Sequence, residues 1–98
     1  MTNDRKLKLE KELKRLSALF IDSIRDKRSL ITVSRTSVKD NLKSATIYVT
    51  VFPDKFESDA LVFLQRHTRD MGQYMADKSK IGRVPSLRVE IDSGEKNR

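Results

Sequence analysis

Residues able to carry catalysis are thin in this chain. His67 is the single histidine, set in "QRHTRD", and with no cysteine and no second histidine it has no partners at metal-ligand spacing. A base or a ligand needs such partners within reach, so His67 is expected at a surface or at a break in a helix. Asp40, Glu90 and Asp92 are the carboxylates that could be imagined as a pair for acid–base work. Each has a simpler place, however: Asp40 in the turn "KDNLK", Glu90 and Asp92 at the end of the strand "LRVEID". Gly72, Gly82 and Gly94 are scattered, so no glycine-rich loop cradles a phosphate, and Gly82 is expected to ease the turn into the last strand. No catalytic constellation results. The chain reads as a non-enzyme that needs neither metal nor cofactor.

Cations offer a different chemistry. Lys and Arg number 21 against 14 Asp and Glu, a net charge of +7 and a pI near 9.9. A surface of that sign favours polyanions. The excess is concentrated: residues 1–29 hold nine basic and five acidic side chains and residues 66–88 hold six and two, whereas 30–65 is balanced at four each. Candidate phosphate contacts are Arg66, Arg69, Lys78, Lys80 and Arg83 around a later helical region and its exit, Arg35, Lys39 and Lys43 on a hairpin, and Arg88 on the last strand. Charge alone also allows an acidic protein as the partner, and it assigns some of these residues only to keeping the domain in solution.

Elements must hold these side chains. At 98 residues the chain fits one compact domain, read as 1–98 with flexible ends over 1–5 and 93–98. No disulfide framework can form, and no long apolar run or signal peptide is present, which predicts a cytoplasmic protein. From Lys6 to about Arg25, Leu9, Leu13, Leu16, Phe20 and Ile24 recur at helical spacing, with Leu19 and Ile21 widening the stripe. Such a basic amphipathic helix can lie on a membrane, but the strands that follow need a cover, and a packed helix is preferred. "LITVSRTSV" (30–38) and "SATIYVTVF" (44–52) form a hairpin. In the second, Ala45, Ile47, Val49 and Val51 face the core, with Thr46, Tyr48, Thr50 and Phe52 opposite; Val38 falls out of phase with Ile31 and Val33, which predicts a bulge or an early end near Thr36.

Beyond Pro53, Ser58 is the expected N-cap of a helical region reaching about Lys80, with Asp59 in its first turn. The apolar stripe lapses across "QRHTRD", and Gly72 follows, so a kink or two helices meeting there is expected. In "RVPSLRVEID", Pro85 precedes a strand whose Leu87, Val89 and Ile91 face one way and Arg88, Glu90 and Asp92 the other. The order is αββααβ, an α+β domain with a three-stranded sheet covered by helices on one face, the topology of a type II KH-like domain.

With those elements in place, "LITVSRTSV" followed by "LKSATIYVTVFPDK", and "RVPSLRVEIDSG" beside the pattern V-P-x-L-x-F-x-x-D, resemble the ribosome-binding factor A family over about Leu9 to Asp92. The sequence departs from the family where members carry Ala-x-Gly between the later helices. His67, Thr68 and Arg69 stand there instead, so the kink persists, moves to Gly72 or is lost, and a close backbone approach at residue 69 meets a bulky side chain. Asn41 takes the place of an aspartate in the hairpin turn, a substitution that preserves related turn chemistry. Six residues follow Asp92, where many relatives carry a longer tail.

The resemblance implies a monomeric factor of the small ribosomal subunit that contacts rRNA during assembly and processing, with a link to growth in the cold. The nine cations named above are its expected rRNA contacts. No ring of exposed aromatics marks the outer sheet face, which carries Thr46, Tyr48, Thr50 and Arg88, so RNA shape and phosphate charge are expected to dominate over base stacking. The competing functions are a KH-like protein-interaction module and an RNA-binding protein that does not act on ribosomes.

Overall fold

A computed structural model describes residues 4–24 and 27–93. Arg25, Gly94 and most of the two expected flexible ends lie outside the described residues, while Asp4 and Arg5 are the first residues of a helix. That helix, α1 (Asp4–Ile24), buries Leu13, Leu16, Ser17, Phe20 and Ile21. The set follows a 3.6-residue period, with Leu9 and Ile24 half-buried at its ends. Leu19 does not widen the stripe; it is 50% exposed. Ser17 takes the inward position instead, and its hydroxyl is satisfied by donating to the Lys14 carbonyl at 3.1 Å.

Strand β1 (Leu30–Val38) pairs antiparallel with β2 (Ser44–Phe52), and β2 pairs parallel with β3 (Ser86–Ile91), in the order β1-β2-β3. The expected irregularity in β1 is a bulge between Val33 and Arg35, and the strand does not end early. One extra residue at Ser34 shifts the alternation by one, so that Val33 before it and Val38 after it are both buried. The inward face of β2 is the one expected: Ala45, Ile47, Val49 and Val51 are buried.

A single 3₁₀ turn (Asp54–Phe56) leads into α2 (Glu57–Arg66). The helix is capped at Phe56 and not at Ser58, because the Phe56 N–H already donates to the Pro53 carbonyl at 3.1 Å and its ring packs on the core, winding the chain two residues sooner than expected. Helix α3 (Thr68–Lys78) follows after His67 alone, so the expected break exists at that residue and the helix runs through Gly72 unbroken. Helix α3 ends at Lys78, two residues before Lys80; at its C-cap the Ser79 hydroxyl donates to the Met75 carbonyl at 2.7 Å and accepts from the Ile81 N–H at 3.3 Å. Gly82 then takes φ +84°, a conformation costly for a residue with a Cβ, as the turn before Pro85 and β3 requires.

The three helices cover one face of the sheet, and Leu64, Met71, Met75 and Val89 complete the core beneath them. Helix α1 also guards the outer edge of β1: the Val38 N–H donates to the Glu10 carboxylate at 2.8 Å, and the Thr36 hydroxyl donates to the Glu10 carbonyl at 2.6 Å. Val38 is 1% exposed, so removing the acceptor strands a buried N–H. Glu10→Ala is therefore expected to cost about 1–3 kcal/mol, and Glu10→Gln, which keeps an acceptor, distinctly less, as read by urea unfolding.

Candidate nucleic-acid interface

The hairpin turn is the hinge of the charged surface. Leu42 stands at φ 62°, held by its N–H donating to the Lys39 carbonyl at 2.8 Å; the Lys39 N–H meets the Ser44 carbonyl at 2.9 Å, and the Asn41 side chain accepts from the Lys43 N–H at 2.9 Å. That last bond is the turn chemistry expected of Asn41. Two further bonds bring distant segments to this turn. The Ser86 N–H donates to the Lys43 carbonyl at 3.0 Å, anchoring the start of β3, and Lys6 Nζ reaches Asp40 Oδ1 at 2.9 Å, anchoring the start of α1. The ammonium of Lys6 holds the Asp40 carboxyl below its ordinary pKa and is itself raised by the same hydrogen bond. Both groups are open to solvent, so the pair orders the surface more than it stabilises the fold.

These connections form a groove of about 680 Å³ between α1, the hairpin turn and the segment from α3 to β3. Arg5 and Lys8 come from α1, Lys43 from the hairpin, and Lys80 and Arg83 from the segment before β3. Leu9, Leu42 and Ile81 give it an apolar floor. Among the described residues Glu12 is the one carboxylate on its wall, and Arg15 holds it through hydrogen bonds of 3.1 and 2.7 Å, which lower its pKa. Five cations against one already paired carboxylate give the groove a positive charge, the sign that favours phosphates.

The nine expected contact residues therefore divide. Lys43, Lys80 and Arg83 line the groove; Lys39 and Arg88 line a separate hollow of about 650 Å³ at the same end of the sheet, beside Thr46 and Tyr48. Arg35 lies over the Tyr48 ring, with Cζ 3.8 Å from its centroid and Nε 3.5 Å from Asp92 Oδ2, and Arg88 Nε is 3.7 Å from Glu90 Oε2. Arg66, Arg69 and Lys78 are exposed at the ends of α2 and α3 and line neither depression, so the nine do not share one depression. Arg5 and Lys8 were missing from the expected set. Their signal in the sequence is the run "DRKLK", whose destination depends on how α1 meets the hairpin.

His67 and Asp92 make structural contacts. His67 donates from Nδ1 to the Phe63 carbonyl at 2.8 Å, and its ring lies 4.6 Å from that of Phe63, which closes the junction between α2 and α3. Asp92 accepts from the Ser34 hydroxyl at 2.5 Å, reaching from the end of β3 to the bulge in β1. Among the described residues no three His, Asp or Glu side chains gather as metal ligands, and no helix is long and apolar enough to cross a membrane.

Comparison with known proteins agrees with this architecture. A curated ribosome-binding factor A from Prochlorococcus marinus (strain NATL1A) is 32% identical over 100 residues, covering 96% of this chain and 81% of the relative. The crystal structure of ribosome-binding factor A from Thermus thermophilus superposes with a TM-score of 0.78 at 30% identity, covering 88% of this chain and 93% of that one. A homology model of the Thermus thermophilus factor, fitted into a cryo-EM map of a 30S complex, gives 0.77 at 29% identity with the same coverage. The sequence profile of ribosome-binding factor A matches residues 5–98, nearly the whole length, and the chain belongs to the ribosome-binding factor A family.

Proposed function

We propose that this protein is a non-catalytic assembly factor of the small ribosomal subunit, which binds immature rRNA as a monomer in the cytoplasm, holds or remodels a segment during processing, and leaves when maturation ends. Family membership and the Thermus thermophilus relative fitted into a 30S complex support the choice of partner. The observation that carries the mechanism is the five-cation groove, built by three segments far apart in the chain. Each ammonium or guanidinium that meets a phosphate releases a condensed counterion, and the apolar floor beneath accepts ribose and base edges that a purely charged patch would leave in water. Binding of this kind needs no cofactor. A link to growth in the cold fits a factor that helps rRNA escape stable misfolded pairings.

The test is sucrose-gradient sedimentation of the tagged protein in lysate. Co-migration with free small subunits, and not with complete ribosomes, is the expected result. Migration at the top of the gradient at every salt concentration would sink the proposal and favour a protein-docking role for the same groove.

A further inference from the structure

The outer face of the sheet carries an arrangement that the groove does not explain. Arg35 follows the bulge in β1 directly, and the register sets it opposite Tyr48. Its guanidinium stacks on that ring at 3.8 Å, while Asp92 holds Nε from the side at 3.5 Å and is itself fixed by the Ser34 hydroxyl at 2.5 Å. The Arg35 side chain nevertheless remains 56% exposed. A planar cation is thus clamped below by a ring and at its edge by a carboxylate. Four residues along β2, on the same face and about 13 Å away at the usual strand rise, Phe52 presents a second ring that is 71% exposed.

Charge does not account for this face, since Arg35 is paired with Asp92 and Arg88 with Glu90. What it offers is flat π surface. The hairpin turn links it to the groove: the turn contributes Lys43 to the groove and Lys39 to the separate hollow, and that hollow is walled by Arg88 and Tyr48. A strand whose phosphates leave the groove over the turn arrives at the Arg35–Tyr48 stack. We infer that this stack is a second RNA contact, on which one unpaired base lies against the exposed guanidinium face, with Phe52 available to a base further along. Asp92 and Ser34 are positioning residues that keep the guanidinium flat. The inference rests on the RNA-binding reading above and adds a contact that is insensitive to salt.

The probe is hexa-adenylate, with an abasic hexamer of equal charge as control, and the readout is the NMR shift of the Arg35 side-chain protons in the unmodified protein. A base stacked on the guanidinium moves the Arg35 δ protons and Nε–H upfield with hexa-adenylate only. Phosphate pairing moves the Nε–H downfield with both probes, and that result, or no movement, overturns the inference. In parallel, Arg35→Lys keeps the charge and removes the planar face, so affinity for hexa-adenylate is expected to fall about tenfold at every salt concentration with the salt slope unchanged. Parental affinity in that variant overturns the inference as well. Subunit sedimentation separates the two readings: co-migration without an upfield shift removes the platform alone, and an upfield shift without co-migration removes the ribosomal role alone.

Discussion

Reversing Lys80 and Arg83 to glutamate together is expected to abolish stable binding to small subunits while leaving the melting temperature nearly unchanged. The groove holds Arg5, Lys8, Lys43, Lys80 and Arg83 against Glu12, and the double variant turns five positive and one negative charge into three of each. At 4 Å in water an ion pair is worth about 1 kcal/mol, and reversal replaces attraction with repulsion, so two reversals cost about 4 kcal/mol before screening. That is a loss of roughly a hundredfold or more once salt is included. The logarithmic salt slope should fall by about 1.4–1.8, the share of two phosphate contacts on simple helices. Both side chains are exposed, and exposed substitutions of this kind move stability by about 0.5 kcal/mol or less. A folded double variant that matches the parent across a salt series would place the rRNA contact elsewhere and make an acidic protein the better partner for this groove.

Leu16→Ala is expected to destabilise the domain by about 2–5 kcal/mol, a large part of the roughly 5–15 kcal/mol typical of a whole domain. Leu16 is 1% exposed in the layer between α1 and the sheet, and the truncation leaves a cavity walled by residues that cannot collapse without disturbing the strands. A fall in melting temperature of about 10 °C or more follows for a domain of this size. Leu19→Ala, three residues further along the same helix but on its outer side, should stay within about 0.5 kcal/mol. Equal melts for the two variants would mean that α1 packs through a different face.

The contrast between those leucines marks how far the sequence could be read. Element order and the inward faces of β2 and α1 were legible because strong two-residue and 3.6-residue periods leave little choice. Leu19 was misplaced because hydrophobicity suggested a wider stripe, whereas helical geometry assigns the inward position to Ser17, whose hydroxyl finds its partner within its own helix. The bulge was signalled by the phase of Val38, but its location at Ser34 depends on pairing with β2 and on Asp92 reaching across from β3, a separation of 58 residues. The start of α2 moved because a 3₁₀ turn feeds directly into it. For the charged surface, residue type was readable and convergence was not. Lys43, Lys80 and Arg83 meet Arg5 and Lys8 only after β3 has docked beside β2 and Lys6 has reached Asp40.

Strand β1 is an outer strand of an open sheet, and an uncovered row of N–H and C=O groups invites another chain to add itself to the ladder. Glu10 engages the last part of that row and the bulge at Ser34 breaks its middle, so a foreign strand finds no regular run of donors and acceptors along β1. Addition of a strand at this end of β1 is therefore hindered while α1 stays docked. Any domain crowded by copies of itself gains from that protection, and losing the Glu10 carboxylate should show itself first as slow turbidity in concentrated samples, before any change in RNA affinity.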